Sequence, residues 1–454
     1  MVPPRARLFR WILVLCAYGV AVAFAHWLLT RHQEPHLFWD SSAYIEEAQQ
    51  AFSLDQFFYP KPIFVSIVIR VIGRDVSHIV AFQQWLSVCA WLCFTVVLVA
   101  SLKTTRARIL ALVAGAIIVL DPFRLGYGSA LLSESINDSE LALLGAALVW
   151  LCSRDHIRWR IAGILGTTIL ATCWMLTRDT NAVVTLVAIP VALLLWRPSP
   201  RLHVRELVAL GAAAIVAVFV LWSTNVSPGM TDLTFQKGWP ADFRARMTYS
   251  TMDNVVDRVL PDPAARQFFV EHGLPETGPL VGPTGHERII IDPALAPLRH
   301  WIATDARRVW IAWLVSTPLQ RIEDQWEHGW QLLGVANDEH SINKPKHWAK
   351  HDLFAIRQLS SNHAVVGLLL IALPALLYVG RRHRLMRMIL PMIAGGWLGS
   401  LAAMYGDSDE IGRHCYGSGQ LVVLGLVMAL VVGVEISARR SPGSASDDPA
   451  RREP

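Results

Sequence analysis

Apolar residues fall in long runs near 11–30, 79–101, 107–122, 136–152, 160–177, 180–196, 207–222, 364–380, 388–404 and 417–436, separated by polar segments. A helix needs about 20 apolar residues to cross a hydrocarbon core of about 30 Å, and these ten runs reach or approach that length. No window between them sustains strand alternation, and a helix satisfies its own backbone in lipid. The pattern predicts an all-α polytopic membrane protein with about ten transmembrane helices. Ala21 to Ala25 in the first run offer small residues of the kind a signal peptidase cleaves. That run is long for a leader and precedes further spans, so a retained helix is expected.

The polar segments give the orientation, because short basic loops stay on the cytoplasmic side. Arg5, Arg7 and Arg10 flank the first run, and every second loop after it is basic: Lys103, Arg106 and Arg108; Arg154, Arg158 and Arg160; Arg197, Arg201 and Arg205; Arg381, Arg382, Arg384 and Arg387. The tail adds Arg439, Arg440, Arg451 and Arg452. With ten helices all six basic segments share one face, and both termini are cytoplasmic. The expected organisation is a core of helices 1–7 over 1–222 that includes a first outer loop at 31–78. An extracytoplasmic, mostly α or mixed domain follows at 223–362, then helices 8–10 over 363–438 and a disordered tail at 439–454. Within the outer domain, 309–319 is apolar but too short to span. Bracketed by Arg307, Arg308 and Arg321, it reads as a helix lying on the membrane surface.

Composition agrees: 53% of the 454 residues are hydrophobic and 17% charged, which excludes a disordered chain and an ordinary soluble one. The 18 Trp suit membrane interfaces. The net charge of +5 invites a nucleic-acid reading, but its distribution removes it. The basic segments carry 20 cations and 6 acids, a net of +14, and the rest of the chain is at −9. That asymmetry sets orientation toward membrane lipids, and no nucleic-acid partner is expected. Five of the six cysteines (Cys16, Cys89, Cys93, Cys152, Cys173) sit in apolar runs and none in 223–362, so no disulfide framework is expected.

Charge beside hydrocarbon is costly and calls for a role. Four outer loops carry it. The first has Asp40, Tyr44 and Glu47 on one helix face, then Tyr59 and Lys61; Asp40 is a general base or, like Ser41, a helix N-cap. The second has Ser133 and Glu134, where Glu134 lines a site or merely favours a helix N-terminus. The third, Thr177-Arg178-Asp179, offers Arg178 to a phosphate or to Asp179. The fourth holds Asp407, Asp409, Glu410, Arg413 and His414 at the start of the last run. His340, His347 and His351 fit no standard zinc spacing and read as solvated. Asn225-Val226-Ser227 matches a glycosylation acceptor, a common chance pattern. Phosphate-binding Gly-rich loops, serine-nucleophile elbows and HExxH motifs are absent from the sequence.

A carboxylate among cations at a membrane boundary suits a substrate with a lipid tail and a phosphate head, such as a polyprenyl-phosphate-linked sugar. The phosphate leaving group needs cationic stabilisation more than a general acid. The attacking hydroxyl needs a base. One base with a cation cluster implies a single inverting displacement, with Arg178, Arg413 and His414 on the phosphate.

At these residues the chain resembles the GT-C superfamily of membrane glycosyltransferases, in particular the protein O-mannosyltransferase and lipid A aminoarabinose transferase branch. The likeness rests on Asp40, Tyr44, Ala48 and Lys61-Pro62, on Ser133-Glu134, and on Leu176-Thr177-Arg178. The resemblance implies that Asp40 is the catalytic base and that Lys61 contacts the donor phosphate. Tyr44, Tyr59, Glu134, Asp407, Asp409 and Glu410, as polar side chains of the same loops, are expected to line the site or meet the acceptor, and the site admits a divalent cation (Mg or Mn) as cofactor. Two features depart from the family: Ser41 follows Asp40 where a second acid is common, and Ile63 follows Lys61-Pro62 in place of a second proline. The expected acceptor is a glycan, lipid or protein, and the expected location is a bacterial inner membrane with the site facing the periplasm or exterior. A transporter or lipid flippase, or a non-catalytic envelope assembly protein, are the competing classes; the first predicts ionisable residues near the bilayer midplane.

Overall fold

In the computed structural model the described residues are 4–59, 61–153, 156–195, 204–226, 246–276, 288–327, 373–374, 383–406 and 411–440, and among them the chain is helical with one isolated β-bridge. The membrane-type helices are α1 (Pro4–Thr30), α4 (Val76–Ser101), α5 (Thr105–Val119), α7 (Ser133–Ser153), α8 (Ile157–Thr177), α9 (Asp179–Leu195), α10 (Val204–Val226), α16 (Met386–Gly406) and α17 (Ile411–Arg440). Six of them, α1, α4, α7, α8, α16 and α17, contain stretches long and apolar enough to cross a bilayer. The other three coincide with predicted runs but are shorter in their apolar part; α5, with 15 residues, extends about 22 Å. The expected run at 364–380 lies outside the described residues apart from 373–374.

Local sequence sets the helix ends. Asp75 caps α4 by accepting the His78 N–H at 3.1 Å, and Thr104 caps α5 through the Ala107 N–H at 3.4 Å. Side chains such as Phe9, Val20, Phe24, Leu165, Ile169 and Ile215 point outward and are well exposed, as lipid-facing positions are. Inside, Trp91, Phe94 and Leu98 of α4 pack with α7 and with Val422, Leu424 and Met428 of α17. Helix α16 lies close against α17: a Cβ at Gly396 would stand 2.6 Å from the Ser418 carbonyl oxygen, so only glycine permits this approach.

Three of the basic segments meet at one end of the bundle. Glu435 near the end of α17 accepts the N–H groups of Lys103 and Thr104, each at 2.9 Å, and is bonded by Arg439. Arg108 stacks over Trp11 of α1 at 4.8 Å. At the opposite end the first loop folds as α2 (Trp39–Gln49), a 3₁₀ turn at Leu54–Phe58, and α3 (Ile63–Ile72). Arg70 of α3 ties them by donating to the carbonyls of Glu47 at 3.1 Å and Gln50 at 2.8 Å. A short helix α6 (Pro122–Ser129) precedes α7, and His36 bridges to Ala130 beside it.

The described part of 223–362 is helical: α11 (Arg246–Asn254), α12 (Pro263–Glu271), α13 (Ala296–Trp301), α14 (Arg307–Ser316) and α15 (Pro318–Glu327). Met252, Val256, Phe269, Trp301, Trp310 and Trp313 form its core. It is fastened to the end of α16, where Trp310 donates to the Tyr405 carbonyl at 3.0 Å and Asn254 to that of Gly406 at 3.1 Å. The apolar stretch 309–319 therefore divides its faces. Val309, Trp310 and Trp313 are buried in this unit, while Ile311, Val315 and Leu319 remain exposed.

Candidate active site

At the end of the bundle away from Glu435, short hydrogen bonds draw the first two of the four loops together. Ser41 Oγ receives the N–H of Phe38, the residue before α2, at 2.8 Å and donates to the Leu131 carbonyl at 2.6 Å. His36 and Leu131 exchange a further backbone bond at 3.0 Å. Ser41 thus does the local capping and stitches the first loop to the second. Asp40, one residue earlier, is left with a different partner: Lys61 Nζ at 2.5 Å. Both side chains of this pair are about one-fifth exposed, at 22% each.

Arg178 is the single extended residue between α8 and α9. That break turns its guanidinium onto Glu134 at the start of α7, 2.8 Å away, and onto His414 Nδ1 of α17 at 3.2 Å. Here the side chains are buried, 8% exposed for Arg178 and 2% for Glu134. Glu134 is therefore fixed by a cation and not left at the helix N-terminus for its dipole alone. Tyr44, buried on α2, lies between the two pairs. Burial, and then the negative charge of Asp40, push the ionisation of its phenol well above the ordinary range, while Ser133 hydrogen-bonds to it. The phenol thus stays neutral.

Asp40, Lys61, Tyr44, Glu134, Arg178 and His414 are accordingly brought together from four separate segments. Tyr59 stands to one side, donating to Gln50 Oε1 at 2.6 Å. Glu47 shares the face of Tyr44 but belongs to the α2–α3 contact, accepting from Ser66 at 2.7 Å. Asp407, Asp409, Glu410 and the side chain of Arg413 lie outside the described residues, as do His340, His347 and His351.

A second polar layer lies deeper and escaped the sequence reading. Arg124 of α6 pairs with Asp138 of α7 at 2.8 Å, with 4% and 2% exposure. Trp91 donates to Asp138 at 2.8 Å and its ring lies 4.1 Å from the Arg124 guanidinium, which also reaches Gln420 at 3.0 Å. Asn181 bonds Asn137 at 2.6 Å. The available signal was three acids, Glu134, Asp138 and Glu140, within two turns at the start of a membrane-crossing helix.

The donor set was tested for a divalent cation. Among the described residues the carboxylates of the cluster are Asp40 and Glu134, each already engaged by a cation, and no three described His, Cys, Asp or Glu side chains converge. The described residues of the cluster do not by themselves form a metal site. A concavity of about 660 Å³ lies elsewhere, between Leu260, Pro263, Arg266 and Val270 of the unit built by α11–α15, and holds none of these ion pairs. Chemically, the cluster can bind an anion and take a proton within one small region at the end of a membrane bundle. Comparisons with models of known protein families, with curated proteins and with solved structures returned no match.

Proposed function

We propose that this chain is a GT-C-type membrane glycosyltransferase that moves a sugar from a polyprenyl-phosphate donor to an acceptor hydroxyl. The observation that carries the reading is the Asp40–Lys61 pair, partly open, set beside the buried Arg178–Glu134 pair and His414 at one end of the bundle. In the reaction Asp40 removes the acceptor proton as the oxygen forms its bond to the anomeric carbon. The carbon–phosphate oxygen bond breaks on the opposite face, and the phosphate leaves with the bonding pair, so configuration inverts. Lys61 and Arg178, with His414 and Arg413, take up the charge on the departing phosphate. Glu134 holds the Arg178 guanidinium in position and touches no substrate. No step is routed through a metal ion.

In this reading ten helices cross a bacterial inner membrane with both termini cytoplasmic. The Glu435–Thr104 end is then the inner one, and the site faces the periplasm or exterior. The test is transfer from polyprenyl-phosphate-linked sugars by the purified protein in lipid nanodiscs. Asp40→Asn is expected to abolish transfer while leaving insertion and folding intact. Normal turnover by a folded Asp40→Asn protein would sink the assignment of the base.

A second reading, a transporter or lipid flippase, draws support from Asp138 and Glu140, which lie within a helix long enough to span. Asp138 is locked by Arg124, which argues against a moving ion site there. Lipid or sugar translocation by proteoliposomes, with no transfer product, would favour that reading.

A further inference from the structure

We propose that Asp40 and the phosphate of the bound lipid compete for Lys61, so that the base is uncovered only when the anion is in place. The proposal rests on the glycosyltransfer reading for the nature of the anion. Its core is the geometry of one contact. Lys61 Nζ and Asp40 Oδ1 stand 2.5 Å apart and each side chain is 22% exposed. The other cations of the region are differently held: Arg178 is clamped by Glu134 at 8% exposure, and Arg124 by Asp138 at 4%. An anion arriving at this end therefore meets Lys61 as the accessible cation of the three. Its ammonium sits on a flexible four-carbon stem with three rotatable donors, so it can leave one anion for another without moving the backbone.

A carboxylate bonded to an ammonium is a poor base, because the neighbouring positive charge favours its ionised form. When a phosphate draws Lys61 away, that positive charge is compensated by the phosphate and the Asp40 carboxylate becomes a stronger base. Asp40 cannot drift far, since Ser41 next to it is bonded to Leu131 and Phe38 at 2.6 and 2.8 Å. Tyr44, between the two pairs, offers a neutral phenol rather than a competing charge. One balance follows that the catalytic assignment alone does not give. Asp40 opposes phosphate binding in the empty site, so removing its charge should tighten binding while it abolishes turnover.

The experiment measures binding of polyprenyl monophosphate, without sugar, to the full chain in nanodiscs for wild type, Asp40→Asn, Lys61→Gln and the double variant. Asp40→Asn is expected to lower Kd on the order of tenfold, the scale of a modest ion pair that no longer competes. Lys61→Gln should weaken binding by a similar factor, and the double variant should match Lys61→Gln. Unchanged or weaker binding by folded Asp40→Asn overturns the proposal, as does tightening that persists in the Lys61→Gln background. Asp40→Ser serves the same comparison should the Asn variant fold poorly. Polyprenol, lacking phosphate, should show no difference between wild type and Asp40→Asn; a similar tightening with it also overturns the proposal. Inorganic phosphate giving the same ratio would support competition with the headgroup alone as the recognised element. The transfer assay separates the two readings: tighter binding with intact turnover removes Asp40 as base but leaves the competition standing.

Discussion

Asp40→Asn and Asp138→Asn make the same chemical change to two ion pairs at the same end of the bundle, and their costs should differ sharply. Asp138 and Arg124 are 2% and 4% exposed and 2.8 Å apart. Neutralising Asp138 leaves a buried guanidinium among Trp91, Gln420 and the Ile118 carbonyl, with the charge of Asp121 as a weaker compensation. Breaking one partner of a buried pair costs about 3–5 kcal/mol. Asp40 and Lys61 are 22% exposed, so the freed ammonium can turn to water. The cost there should be on the order of 1–2 kcal/mol, between the values for open and sealed pairs. The assay is equilibrium unfolding in mixed micelles, followed by tryptophan fluorescence, for each Asn variant and for an Arg124→Met/Asp138→Leu double. That double removes both charges and should recover most of the loss, since paired removal of a buried ion pair is often close to neutral. Equal destabilisation by Asp40→Asn and Asp138→Asn would refute the reasoning, because the outer pair would then be a structural element like the inner one.

Other changes test the contacts around the site. Ser41→Ala removes the bonds to Phe38 and Leu131 and should cost about 1–2 kcal/mol; the transfer assay should show a larger fall in kcat than rise in KM, as expected for a misaligned base. Glu140 makes no well-formed hydrogen bond through either carboxyl oxygen, and the Thr177 hydroxyl that faces it gives its own hydrogen to Cys173 at 3.0 Å. Glu140→Gln should therefore unfold at the same denaturant concentration as wild type or a higher one, whereas Glu140→Lys should fail to accumulate in membranes. Gly396→Ala would press a methyl group against the Ser418 carbonyl and should lose about 1–3 kcal/mol through separation of α16 from α17; an unchanged unfolding midpoint would show that these helices do not pack so closely.

The helices were legible because hydrophobic period and length are local properties: the runs at 79–101, 136–152 and 417–436 fall inside α4, α7 and α17. The cluster was legible for a similar reason. Glu134, Arg178 and His414 stand at the ends of apolar runs, where a charge is conspicuous, and Asp40 and Lys61 stand in the loop between the first two runs. Who pairs with whom was not. Lys61 is 21 positions from Asp40, and His414 is 236 from Arg178, and nothing in residue order fixes either contact. Asp40 and Ser41 were equal as capping residues until the fold gave Ser41 the bond to Leu131, 90 positions away. Asp138 was hidden because a window average over the apolar run 136–152 absorbs its two acids, Asp138 and Glu140.

Two of these ion pairs have their acid on α7 and the third lies in the first loop, and together they relate burial to role. Asp138 lies one turn, about 6 Å, further along the helix than Glu134. Exposure falls from 22% at Asp40–Lys61, through 8% and 2% at Arg178–Glu134, to 4% and 2% at Arg124–Asp138. An innermost pair sealed by Trp91 fixes helix positions, since both partners are buried and Asp121 adds a further negative charge that holds Arg124 in place. The middle pair holds a guanidinium in one orientation, and through His414 it joins α17 to the joint between α8 and α9. The outermost pair has water access, so it alone of the three can trade partners without first paying the full desolvation cost of a buried charge. Rigid inner charges with an exchangeable outer one give a membrane bundle a mouth that responds to an anion while its helices stay in place.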